Sequence, residues 1–238
     1  MLKLLILLIL NINLVYAAQV KIGIIDTGLD LTKLGNIKLC SKGHYDFETN
    51  KKGIGRDFNG HGTNIALTIV ENLGTIDYCL VIYKYNIKDV STVYKAVDKA
   101  IINKVDLLNI SLSGKKFITK EYFVISKASD LGIKVVVSAG NDSKNLTTKT
   151  CDVYPACYTN IKNLIVVGNL KNNNTLHEKS NYGIIVHTYE IGKSCFYNVC
   201  WEGTSQATAI YTGKLAKTIF NIKLAPKANN ETNRQTKK

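Results

Sequence analysis

Short runs of β-branched and apolar residues alternate along the chain with segments whose apolar positions recur every three to four residues. "QVKIGIID" is a run of the first kind and predicts a strand with Asp26 at its C-terminal end. "HGTNIALTIVENLG" is of the second kind: Ile65, Ala66, Ile69, Val70 and Leu73 fall at helical spacing, and Gly74 supplies a stop. The same reading gives "CLVIYKY" as a strand, a helix over 90–103, "VDLLNISL" as a strand, a helix over 120–131, and "IKVVVSAG" and "NLIVVGNL" as strands. Residues 36–60 are polar and glycine-rich and predict loops with a short hairpin. Residues 183–202 predict shorter β segments around a cysteine-closed hairpin, and a helix follows from about Thr204 to Phe220. Strands alternating with helices predict an α/β fold, a mostly parallel sheet with helices on both faces. In such sheets ligands bind outside the carboxyl ends of the strands.

The two ends of the chain break this pattern. Lys3, the apolar stretch 4–10 and the small residues Ala17 and Ala18 have the layout of a secretory signal peptide, with cleavage expected after Ala17 or Ala18. The apolar run is interrupted by Asn11 and Asn13 and is too short for a spanning helix, so no stable membrane insertion is expected after cleavage. The division expected is a signal peptide over 1–17, one domain over 18–220 and a basic, disordered tail over 221–238. Export, to the periplasm or the medium, also suits the cysteines. Six of them, Cys40, Cys79, Cys151, Cys157, Cys195 and Cys200, lie beyond the leader, and an even count in an exported chain favours disulfides. Six cysteines allow 15 pairings; the short loops suggest Cys151–Cys157 and Cys195–Cys200, leaving Cys40 with Cys79. The net charge of +13 raises the question of nucleic acid or anionic surfaces, but the lysines are scattered and no nucleic-acid-binding motif is present. A solvated surface is the expectation, with no nucleic-acid partner.

Candidate chemistry gathers at three element boundaries, each flanked by glycine. Asp26 ends a strand, His61 in "NGHGT" opens a helix, and Ser205 in "GTSQATA" opens another. Singly, each has a structural role: a strand-end turn former, a polar residue near a helix start, a helix N-cap. Together they are the parts of a base-activated nucleophile, in which His61 takes the Ser205 proton and Asp26 fixes the imidazole.

With "IGIIDTGLD", "DFNGHGTNIA", "LLNISLSG", "VVVSAGND", "VYPACYTNIKNLIVVG", "KSNYG" and "EGTSQATA" in this order, the chain resembles the subtilase family of serine peptidases from about residue 20 to about residue 220. The resemblance implies a subtilisin-like three-layer sandwich. It implies that Asn141 joins the Ser205 N–H in binding the oxyanion. Ser111, Leu112, Ser113 and Gly114 would pair with substrate backbone, and Ser138, Ala139 and Gly140 would wall the first specificity pocket, with Asp142 on its rim hinting at tolerance for basic side chains. His44, His177 and His187 lie outside the motifs and are expected on the surface or in loops. Departures stand at Asn64, where the family usually has a second histidine, at Gln206, where it has methionine, and at Ala209, where it has proline. The leader runs almost directly into the first strand, which leaves no room for a folding propeptide or for the usual calcium-binding extension. No cofactor and no metal is expected. The expectation is a secreted, monomeric serine endopeptidase acting on protein or peptide through an acyl-enzyme. The rivals are a catalytically weak or inactive peptide-binding module of the same fold, and a basic surface-binding protein.

Overall fold

The computed structural model describes residues 18–89 and 91–225, so the expected leader and the part of the expected tail from residue 226 lie outside the described residues. Strands β1 (Val20–Asp26), β2 (Tyr45–Asp46), β3 (Lys51–Lys52), β4 (Tyr78–Lys84), β5 (Leu107–Ile110), β6 (Lys134–Ser138), β7 (Leu164–Leu170) and β8 (Thr188–Ile191) form one sheet in the order β3-β2-β4-β1-β5-β6-β7-β8. Every pairing is parallel except the β2–β3 hairpin. Helices α1 (His61–Glu71), α2 (Ser91–Ile102), α3 (Thr119–Asp130) and α4 (Thr204–Leu224) cover the two faces.

The period-two alternation of the strands decides which side chain meets which layer. Ile22 and Ile24 of β1, Leu80 and Ile82 of β4 and Val136 of β6 pack with Ile65 and Ile69 of α1 and with Ala207 and Ala216 of α4. Their neighbours Ile25, Val81, Tyr83, Val135 and Val137 face the opposite way, onto Ala96 and Val97 of α2 and Val124 and Ala128 of α3. The α/β expectation and its three layers are therefore met. β1 lies between β4, which follows it in the βαβ sense, and β5, which begins the growth of the sheet in the other direction. This reversal of strand order opens a crevice at the carboxyl ends of β1 and β5.

Two element boundaries differ from the sequence reading. The "VDLLNISL" ladder ends at Ile110 rather than Leu112, because Ser111 is drawn to the start of α4 by the contacts described below. α4 runs to Leu224 instead of ending near Phe220, closing with the Ala225 N–H on the Asn221 carbonyl, so residues 221–224 of the expected tail are helical. β9 (Lys193–Phe196) and β10 (Val199–Glu202) form a separate two-stranded hairpin with Cys195 directly opposite Cys200. All six cysteines are paired, as Cys40–Cys79, Cys151–Cys157 and Cys195–Cys200. Among the described residues no helix is long and apolar enough to cross a membrane.

Candidate active site

Asp26 is buried at the crevice, and its Oδ1 accepts from the Thr27 N–H at 2.8 Å and from Nδ1 of His61 at 2.7 Å. His61 is the first residue of α1, and the loop before it is shaped by a second buried carboxylate, Asp57. Asp57 accepts five hydrogen bonds, from the N–H groups of Asn59, Gly60 and Thr63 and from the hydroxyls of Thr27 and Thr63, at 2.6–3.0 Å. Burial alone would raise the Asp57 pKa, but these donors outweigh it and hold the carboxyl below its ordinary value. The charge so fixed lies at the N-terminal end of α1, where an anion is favoured. The first turn of α1 also abuts the turn after Asp26. A Cβ on Gly62 would meet the Gly28 carbonyl at 2.4 Å, so only glycine lets His61 come this close to Asp26. Burial disfavours the imidazolium of His61, but Asp26, by its charge and its hydrogen bond, and then Asp57 reverse this, so the pKa is raised.

Ser205 is the second residue of α4. Its hydroxyl donates to the Ser111 carbonyl at 3.1 Å, and the Ser111 hydroxyl donates back to the Ser205 carbonyl at 3.2 Å. Behind them Asn109 Nδ2 donates to the Ser111 hydroxyl and the Thr212 hydroxyl donates to Asn109 Oδ1, each at 2.9 Å, so β5 and α4 are tied through a buried polar chain. The Ser205 hydroxyl thus faces the backbone just beyond β5.

Asn141 follows the tight turn after β6. Its Oδ1 accepts from the N–H and the hydroxyl of Thr204 at 3.0 and 3.1 Å, which leaves Nδ2 as the free end of an exposed amide beside the start of α4. Asn181 of "KSNYG" sets this turn from behind: its Oδ1 accepts from the N–H groups of Asp142 and Lys144 and its Nδ2 donates to the Ala139 carbonyl.

Ser138, Ala139 and Gly140 are buried next to Asn141. Of the four residues expected to receive substrate, Gly114 already pairs through its N–H and carbonyl with Tyr154, each at 2.8 Å, so the unpaired edge is shortened to Ser111, Leu112 and Ser113. Asp142 forms an ion pair with Lys115, with both side chains exposed. His44 lies in the loop before β2, half-buried, where it bonds the Cys40 carbonyl at 2.7 Å and accepts from the Ile82 N–H at 3.0 Å, bracing β4.

Several site residues escaped the sequence reading. Trp201 meets His61 edge-on, with ring centroids 5.4 Å apart. Asn64, one turn along α1 from His61, is buried and its Oδ1 accepts from the Ser194 hydroxyl at 2.8 Å and from Gln206 Nε2 at 3.3 Å. No spacing rule finds these contacts, because they join residues more than a hundred positions apart; the only signal was that 64 and 206 both depart from the family pattern.

The profile of the Subtilase family matches residues 17–237. Subtilisin DY of Bacillus licheniformis is 28% identical over 221 residues, which are 84% of this chain and 76% of that protein. Subtilisin NAT of Bacillus subtilis subsp. natto is 27% identical over 216 residues, and the chain spans only 55% of that protein's length. The solved structure of a cold-adapted subtilisin-like serine proteinase superimposes with a TM-score of 0.71 at 24% identity, covering 85% of this chain and 76% of that one.

Proposed function

We propose, from the premise that this chain belongs to the subtilase family of serine peptidases, that it is an exported endopeptidase cleaving peptide bonds through an acyl-enzyme with Asp26, His61 and Ser205. The observation that carries the reading is the 2.7 Å contact between Asp26 and His61 Nδ1 at the same sheet edge where Ser205 opens α4. That contact fixes the ring so that Nε2 is left to act as a base. Substrate adds as a strand along Ser111–Ser113. Its N–H groups then compete for the Ser111 carbonyl, which releases the Ser205 hydroxyl to His61. Ser205 attacks the scissile carbonyl as its proton passes to His61, and the oxyanion is held by Asn141 Nδ2 and the Ser205 N–H. His61 next protonates the leaving amine and then takes a proton from the water that hydrolyses the ester. The pinning of Asn141 Oδ1 by Thr204 supports this role, since a preorganised donor need not reorient as charge develops. Export is supported by the three disulfides, which suit an oxidising compartment.

Labelling of the oxidised protein with a serine-reactive fluorophosphonate tests the reading. The wild type is expected to label, and Ser205→Ala and His61→Ala to lose labelling while keeping the wild-type circular dichroism spectrum. A folded wild type that takes up no label would sink the reading and favour the peptide-binding module.

A further inference from the structure

A cavity of about 350 Å³ lies beside His61, between the first two turns of α1 and the β9–β10 hairpin. One wall is built of large apolar side chains, Phe58, Leu67, Phe196, Tyr197, Val199 and Trp201, and the rest of the lining is polar, with Asp30, Lys33, Arg56 and Asp57 among it. Three of these are exposed, Phe58 at 79%, Tyr197 at 56% and Val199 at 51%. Single exposed apolar residues need no explanation, but three converging on one concave wall mark a binding surface.

Two further observations point to a ligand. Asn64 lines the cavity although its residue surface is only 4% exposed, and its carboxamide oxygen is saturated by Ser194 and Gln206. Among the described residues its Nδ2 has no hydrogen-bond partner, and it is not among the fully enclosed unpaired atoms, so it is an open donor at the cavity wall. Gln206 stands next to Ser205, and Asn64 stands three residues after His61, so the donor is held by the same two helix starts that carry the proposed nucleophile and base. Second, Trp201 forms a shared wall between the cavity and the imidazole. With the residues before the scissile bond assigned to Ser111–Ser113 and Ser138–Gly140 at the ends of β5 and β6, a cavity walled by α1 and the β9–β10 hairpin is left for the residues that follow it.

We infer that this cavity selects substrates by an aromatic side chain within the two residues that follow the scissile bond, a reading that rests on the peptidase assignment above. The volume accommodates one such ring, the aromatic and aliphatic walls complement it, and the Asn64 amide offers a hydrogen bond to an oxygen of the same segment, such as a tyrosine hydroxyl or a backbone carbonyl. The rim supports an uncharged occupant. Lys33 already pairs with Asp30 at 3.7 Å, and the Arg56 guanidinium lies 4.9 Å from the Phe58 ring centroid, so neither is poised for a charged side chain.

Internally quenched peptides, identical up to the scissile bond and carrying Phe, Tyr, Gly or Asp at each of the next two positions, test the inference. A kcat/KM at least ~10-fold higher for Phe and Tyr than for Gly at one of these positions is expected, within the range a filled apolar pocket gives. Leu67→Trp, which fills the cavity from α1, is expected to bring that ratio close to one. Should Leu67→Trp fail to fold, Tyr197→Gly reads the same effect by removing one aromatic wall at a residue with φ of 52°, a backbone conformation glycine adopts freely. A ratio within about threefold in the wild type, or one that neither variant changes, overturns the inference. If the protein still labels with fluorophosphonate in that case, the peptidase reading stands; loss of labelling and of all cleavage overturns both.

Discussion

The parallel sheet and the β9–β10 hairpin meet at the candidate active site, and they are built in opposite ways. Every residue of β4 and β5 is buried, and β1 and β6 are nearly so, each strand packed on both faces by helices. The hairpin has two strands, mostly exposed or half-exposed residues and no place in the main sheet. Two-stranded hairpins are marginal alone. This one is held by the Cys195–Cys200 cross-strand disulfide and by the buried Ser194 hydroxyl on Asn64. Asp26 and Asn141, proposed for chemistry, and Ser111, proposed to receive substrate, stand at or just beyond the ends of β1, β6 and β5, where small displacements are resisted from both sides. The residues proposed for selection, Tyr197, Val199 and Trp201, sit on the hairpin, where side chains change at little cost to the core.

Removing disulfides one at a time breaks this comparison most directly. Cys40–Cys79 closes 39 residues and links the loop before β2 to the central strand β4, whereas Cys195–Cys200 closes only 5. Chain entropy alone assigns about 4 kcal/mol to the first and about 2 kcal/mol to the second. Replacing Cys40 and Cys79 together by alanine is therefore expected to give the larger fall in unfolding free energy in urea, with little change in substrate selection. Replacing Cys195 and Cys200 is expected to give the smaller fall and the larger change in the ratio of cleavage between aromatic and glycine peptides. Equal effects of the two pairs on selection would show that hairpin and sheet are one mechanical unit.

A second, smaller effect sharpens the comparison from the sheet side. Glu121 on α3 is buried, and that burial raises its pKa to about 7 despite a hydrogen bond with Tyr158 that favours the charged form. The folded chain therefore holds this proton more tightly than the unfolded chain, in which an ordinary glutamate titrates near 4.5. Its contribution is complete below about pH 4.5 and is lost as pH rises through about 7. Glu121→Gln is expected to raise the melting temperature at pH 8 by the equivalent of about 1–3 kcal/mol and to change little at pH 4. An equal shift at both pH values would refute the assignment. The group lies on the layer away from α1 and the hairpin, so selection should not change with it.

The architecture was legible because each strand of the core is a short apolar run and each helix has a single apolar stripe. The sites at strand ends followed from the same periods: the run "KIGIID" stops at a carboxylate, and "VVVSAGN" stops at a turn, so their polar residues had to emerge at one edge. Glu121 was illegible because nothing in "TKEYF" marks which of its polar side chains is buried. Its hydrogen-bond partner Tyr158 arrives from beyond β6, far along the chain. The same holds for Asn64, Ser194 and Gln206, three ordinary polar residues until the fold brings them to one oxygen. The exact end of β5 was also out of reach, since Ser111 leaves the ladder for partners on α4, 94 residues further along.

The smallest expected effect separates stability from selection within the hairpin itself. Tyr197 and Asn198 form its two-residue turn, with φ of 52° and 62°. Two positive φ values in succession are the geometry of a type I′ turn, which matches the twist of the strands but suits asparagine and glycine far better than a bulky aromatic residue. Tyrosine at the first position therefore carries a backbone cost of about 1 kcal/mol. Its ring is nevertheless set against the cavity beside His61, where it contributes a wall. If the residue is kept for that wall, Tyr197→Gly should leave the chain as stable as the wild type or slightly more so, by up to about 1 kcal/mol in urea unfolding, while the preference for aromatic peptides falls. Should stability and preference fall together, the ring would be a structural prop of the hairpin, and the division of labour between a rigid sheet and a selective hairpin would have to be redrawn around it.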